Sequence, residues 1–158
     1  MVSSCTCAAA IVSIVVASTA AAQSKPDFSG DWTLNPQKST LSPIVAPAVQ
    51  SGTLQIEHRE PNFKAHLNTV LSGRPIDATF ELVADGREVV ATNGDRRNVS
   101  SLVWDGDALV LTFRDERPNA TVTISFRYEL QDGGRRLRAI EQIRGGGRDQ
   151  DNVWVYDR

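Results

Sequence analysis

The sequence predicts an all-β protein, an antiparallel up-and-down meander of about eight to ten strands closed into a barrel and preceded by a signal-peptide helix. Three observations predict it. From Thr53 onward apolar and polar residues alternate with a period of two, as a sheet with one buried and one wet face requires. Turn signals break that alternation at short intervals, and nothing after the N-terminal segment carries a helical apolar stripe. A meander of this length removes its unpaired edges by closing on itself.

The N-terminal segment comes first. The first 22 of 158 residues carry no charged side chain, Ala8 to Ala17 is apolar apart from Ser13, and Ala20-Ala21-Ala22 offers a small-residue cleavage site before Gln23. Residues 1–22 therefore read as a signal peptide, too short in its apolar core for the roughly 20 residues of a spanning helix. No Lys or Arg precedes the apolar stretch, so only the terminal amine supplies its positive charge. The chain is expected to be exported, to a periplasm or beyond, with no membrane span after cleavage. Cys5 and Cys7, the only cysteines, would leave with the signal. Residues 23–158 are then expected to be a single barrel domain whose stability rests on its core rather than on disulfides.

Within that domain the first strand surrounds Trp32. Asn35 to Ser51 follows, with Pro36, Pro43 and Pro47 and no steady period. It is too long for a tight turn and is expected to act as a loop or lid crossing one mouth of the barrel. The later strands show the period-two pattern plainly. Leu54, Ile56 and His58 alternate with Gln55 and Glu57; Phe63, Ala65 and Leu67 alternate with Lys64, His66 and Asn68. Ile76, Ala78, Phe80 and Leu82 form one set, and Val122, Ile124, Phe126, Tyr128 and Leu130 another. Between the runs stand Pro61-Asn62, Gly73, Asp85-Gly86, Asn93-Gly94, Gly106-Asp107, Pro118-Asn119, Gly133-Gly134 and Gly145-Gly146-Gly147.

One hairpin, "SLVWDGDALVLTF", is apolar on both faces. Its expected faces are Val103, Leu109, Leu111 and Phe113 on one side, and Leu102, Trp104, Ala108 and Val110 on the other. The second set needs cover, either from the proline-containing loop or from a second copy in a homodimer.

The stretch "FSGDW", Phe28 to Trp32, opens the folded part. A tryptophan on the first strand can plug one end of a barrel, and Gly30 lets the backbone bend into that strand. Gly30-Asp31-Trp32 resembles the opening Gly-x-Trp signature of lipocalins. The longer strings "PDFSGDWTLNPQKS" and "WDGDALVLT" are similar to a group of small exported bacterial lipocalin-like (calycin-type) proteins, most of them uncharacterised. The resemblance covers the start and middle of the chain after its N-terminal segment. It implies a barrel that binds a small apolar molecule inside, with Gly30, Trp32 and Arg158 closing one end; Arg158 is the candidate for the arginine that packs over the tryptophan in lipocalins. The threonine-aspartate-tyrosine turn of classical lipocalins is missing, with "FRDERPN" in the corresponding region. The alternative is that Trp32 is a core residue of some other β-sandwich.

The candidate cavity residues are His58, Phe80, Tyr128 and Glu141, each on a strand face that otherwise reads as core. An imidazole, a carboxylate and a phenol among aliphatic groups are the make-up of a ligand pocket. The alternative places His58 and Tyr128 near strand ends in solvent, with Glu141 paired to a rim arginine. No metal or cofactor is expected, because His58 and His66 fall on opposite faces and no His-x-x-x-His spacing exists. No catalytic residue is assigned: there is no Gly-x-Ser-x-Gly elbow, and Gly145-Gly146-Gly147 lacks the Lys of a phosphate loop. A net charge of −2, with Arg135, Arg136, Arg138, Arg144 and Arg148 interleaved among acids, argues against nucleic acid as a partner. Three functions remain: a carrier of a small hydrophobic or amphipathic molecule, a non-catalytic envelope protein using an apolar outer face, and a small barrel enzyme with His58 or Glu141 as general base.

Overall fold

The computed structural model describes residues 24–147 and 149–158, so the signal segment expected at 1–22 lies outside the described residues. Ten strands follow one another: β1 (Gly30–Leu34), β2 (Val49–Arg59), β3 (Asn62–Leu71), β4 (Arg74–Val83), β5 (Val89–Asn93), β6 (Arg96–Asp105), β7 (Ala108–Arg117), β8 (Ala120–Gln131), β9 (Arg136–Arg144) and β10 (Gln150–Asp157). They make one antiparallel sheet in the order β4-β3-β2-β1-β10-β9-β8-β7-β6-β5. Because β1 pairs with β10 as well as with β2, the meander wraps round on itself. It stops short of full closure, since β4 and β5 form its two ends. At the foot of that seam the Gly86 N–H donates to the Leu102 carbonyl at 2.9 Å, tying the chain to β6 before β5 begins.

Register decides what lines the interior. Ile56 pairs with Ala65 and Ala65 with Phe80; Phe126 pairs with Glu141 and Glu141 with Asn152. Cross-strand partners share a face, so each alternating apolar run of the sequence lands inward together. The largest fully buried side chains include Trp32, Phe28, Phe63, Leu102, Leu109, Leu111 and Leu137. They gather toward one end of the barrel.

The segment from Asn35 is shorter than its sequence suggests, because β2 already begins at Val49. The Asn35 N–H donates to the Val155 carbonyl and Thr40 bridges to Val153, so the segment first continues along β10. It then turns between Ser42 and Val49, and the Ser72 N–H in the β3–β4 turn donates to the Ala48 carbonyl at 2.7 Å. Leu41, Val45 and Val49 pack against the core from above. The segment thus runs from the edge of β10 to the β3–β4 turn.

The hairpin of β6 and β7 corrects the expected faces. Its two-residue turn sets Asp105 opposite Ala108, so even-numbered residues of β6 face odd-numbered residues of β7. Leu102 pairs with Leu111 and Trp104 with Leu109, pointing inward, while Val103 pairs with Val110 on the outside. Leu102 is 0% exposed, Ala108 is buried and Val103 is 45% exposed. Leu102, Trp104, Ala108 and Val110 therefore do not form one outer face, and no homodimer surface is built from those four. The segment from Asn35 does not cover the hairpin either, since its backbone bonds run to β10 and to Ser72.

Candidate functional site

The interior has a sealed end. Trp32 is 1% exposed, and its Nε1–H donates to the Phe28 carbonyl at 3.1 Å. The Arg158 guanidinium lies 4.4 Å from the Trp32 ring centroid, a cation over an aromatic face, and Nη1 donates to the Ser29 carbonyl at 2.6 Å. Gly30 explains the Gly-x-Trp spacing. Its φ is +146°, and a Cβ there would stand 2.7 Å from Arg158 Nη1. Only glycine leaves room for the arginine to lie across the tryptophan.

His58 belongs to this plug. Its Nδ1 accepts the Phe28 N–H at 3.3 Å, and its Nε2 lies 3.3 Å from Glu60 Oε2. The rings of Phe28, Phe63 and Trp104 surround it at 5.8 to 5.9 Å. Glu60 also accepts the Trp104 indole N–H, and Lys25 sits 4.9 Å over that indole. With Nδ1 accepting the Phe28 N–H, Nε2 carries the ring proton toward Glu60, so both ring nitrogens of His58 are engaged in holding the N-terminal segment down. His66 points outward and contacts Asp77 at 3.0 Å.

The middle layer is polar inside an apolar wall. Glu141 is 8% exposed; its Oε2 accepts the Asn152 amide at 2.7 Å and the Trp154 indole N–H at 2.9 Å. Asn152 in turn accepts the Ser42 N–H at 2.7 Å, which couples this layer to the segment from Asn35. No arginine is paired with Glu141 among the described residues; the arginines of β8 and β9 face outward and pair with acids there, Arg138 with Glu129 and Arg144 with Asp151. Tyr128 is buried, and its ring stacks on Phe126 at 6.0 Å. Burial, then the nearby Tyr156 and Glu141 charges, push the Tyr128 phenol well above its usual range. Burial and Glu141 do the same to Tyr156.

The far end is open. Ile76 faces inward by register yet is 43% exposed. Ala78, Phe80, Phe113, Ile124 and Ile143 share that face and are all half-buried. At the rim Asp115 is held by Arg96 at 2.7 Å and Arg117 at 2.7 Å, and the Arg117 and Arg96 hydrogen bonds draw its carboxyl below the usual range. A concavity of about 830 Å³ lies elsewhere, where the end of β4 parts from residues 85–89. Of its charged lining residues Lys64 pairs with Glu81 and Arg87 with Asp85, and its apolar floor of Phe63 and Leu82 is buried core. It is a notch at the seam rather than the barrel interior.

Of the four cavity candidates, the structure brings Phe80, Tyr128 and Glu141 to the interior wall and sets His58 apart at the plug, behind Phe63. Asn152, Trp154 and Tyr156 complete the polar layer and were not singled out from sequence. Their spacing by two along β10 was the available signal.

No family model and no curated protein matches this chain. Solved structures do match, and all at low identity. Human cRBP IV is 22% identical, with a TM-score of 0.54 over 84% of this chain and 98% of that one. A secretory abundant heat soluble protein from Ramazzottius varieornatus is 13% identical, with a TM-score of 0.52 over 82% and 93%. Fatty-acid-binding protein 1 of Echinococcus granulosus is 14% identical, with a TM-score of 0.50 over 83% and 96%. The chain shares the fold of these three proteins.

Proposed function

We propose that this protein binds a small hydrophobic or amphipathic molecule inside its barrel, received through the mouth spanned by Leu41 to Val49. One observation carries the reading: inward-facing apolar residues pass from sealed at the Trp32 end to half-exposed at Ile76, Phe113, Ile124 and Ile143. An apolar wall left open to water inside a barrel gains free energy when an apolar ligand covers it, about 25 cal/mol for each Å² removed from water. The fold likeness to cRBP IV and fatty-acid-binding protein 1 supports it. We further propose export, on the strength of the uncharged apolar segment at residues 1–22.

The test is a titration with an environment-sensitive apolar fluorophore, followed by displacement with unlabelled alkyl compounds. The expected result is saturable binding at a single site, and linear, unsaturable partition would refute the reading. Of the two general-base candidates of the enzyme alternative, His58 is engaged at both nitrogens and Glu141 keeps one oxygen without a protein donor among the described residues. Of the hairpin's apolar residues the envelope alternative keeps Val103 and Val110 on the outside, while Leu102 and Trp104 point inward.

A further inference from the structure

We infer that the interior selects ligands whose head group donates a hydrogen bond, an alcohol or a protonated amine, over ligands ending in a carboxylate. The inference rests on the binding reading above and concerns what Glu141 does within that site.

Glu141 is a carboxylate carried on the inner face of β9, nine-tenths buried. A buried carboxylate is normally held by a cation or by hydrogen bonds to both oxygens, because uncompensated burial of the charge is costly. Here Oε2 alone is held by side chains, those of Asn152 and Trp154, and Oε1, which is not fully shut off from solvent, has no protein donor among the described residues. No cation is paired with Glu141 among the described residues. Arg96 and Arg117, which share the inner register at the open rim, are engaged with Asp115, and Arg158 lies over Trp32 at the sealed end. The neighbouring polar groups, Tyr128 and Tyr156, are phenols that Glu141 and burial hold in their protonated form.

Glu141 is the charged group of that layer, beside the Tyr128 and Tyr156 hydroxyls, which can donate or accept. The layer offers an acceptor oxygen with unused capacity and negative charge, and an apolar wall that leads to it from Ile76, Phe80 and Ile124. A hydroxyl or ammonium placed at Oε1 supplies the missing donor, and the ammonium also compensates the charge. A ligand carboxylate placed there brings a second negative charge beside a Glu141 that no cation pairs among the described residues, which is strongly unfavourable at short range in a low dielectric.

The experiment uses matched chains that differ only in head group. Dodecylamine, 1-dodecanol and dodecanoate, below their micelle concentrations at pH 7, each compete with a bound apolar fluorophore on the protein and on the Glu141→Gln variant. Glutamine keeps an oxygen to accept from Asn152 and Trp154, so the layer stays built, and thermal melting of the variant checks this. The expected result is displacement by the amine and the alcohol at concentrations about tenfold or more below dodecanoate. In Glu141→Gln the amine's advantage over dodecanoate should shrink to about threefold or less. Dodecanoate displacing as well as the other two from the unaltered protein, or a head-group preference unchanged in the variant, would overturn the inference and leave apolar binding standing. Displacement by none of the three would overturn both.

Discussion

The two ends of this barrel are made from the same alternating strands and yet differ in kind. At the Trp32 end the inner-facing residues are covered by a plug that the chain supplies itself: Phe28, the His58 clamp and the Arg158 guanidinium. At the Ile76 end the inner face carries half-exposed Ile76, Phe113, Ile124 and Ile143 below a rim of Arg96, Asp115 and Arg117. The turn-rich segment beside it is held to β10 and to Ser72. The difference teaches that closure comes from a few specific contacts, with periodicity alone supplying only the wall. Residues at the sealed end should therefore govern stability, and residues at the open end should govern binding.

The largest expected effect follows from removing the stopper. Trp32→Ala deletes a fully buried indole and the bond to Phe28, and should cost about 3–5 kcal/mol in chemical denaturation. A loss below about 1 kcal/mol would break the contrast between the ends. Gly30→Ala comes next. Its Cβ pushes the Arg158 guanidinium off Trp32 and forces a non-glycine residue to φ +146°, for a cost of about 1–3 kcal/mol by the same measurement. Ile76→Ser sharpens the comparison from the other side. The residue is 43% exposed, so stability should stay within about 0.5 kcal/mol while apolar-probe affinity falls about threefold to tenfold.

The smallest effect is a pH dependence. Lys38 first, with Asn35 and Arg136, holds the Asp157 carboxyl down to about 2 from its ordinary 3.8, tying the start of the Asn35 segment to β10. A lowered folded-state value means the contribution is present above the unfolded value and is lost as pH falls from about 4 through about 2. Asp157→Asn should flatten the acid limb of a stability-versus-pH curve in that window and leave the neutral region's slope unchanged. An acid limb identical to the parent's would remove Asp157 from the account.

Much of this was legible in the residues. The set from Val122 to Leu130 announces a strand whose even members face inward, and register with β7 and β9 places them there. The faces of the β6–β7 hairpin were not legible, because parity across a turn depends on how many residues the turn contains. Asp105 opposite Ala108 reverses the expected pairing of Leu102 with Ala108 and Val110. The interior position of Glu141 could be read from its neighbours Leu137, Ala139 and Ile143, but its partners could not. Asn152 and Trp154 reach it only because β10 pairs with β9, a fact of topology that no local pattern carries. His58 shows the same limit. Its alternation with Ile56 marks it as inward, and only the fold shows that it clamps the Phe28 backbone.

The central claim is tested most directly by NMR of isoleucine δ-methyl groups during titration with 1-dodecanol. Ile76, Ile124 and Ile143 line the open end, Ile56 is buried near the plug, and Ile140 faces outward. The account predicts saturating shifts at Ile76, Ile124 and Ile143, with Ile56 and Ile140 nearly still. Shifts centred on Ile140, or none at any of the five at saturating alcohol, would contradict it.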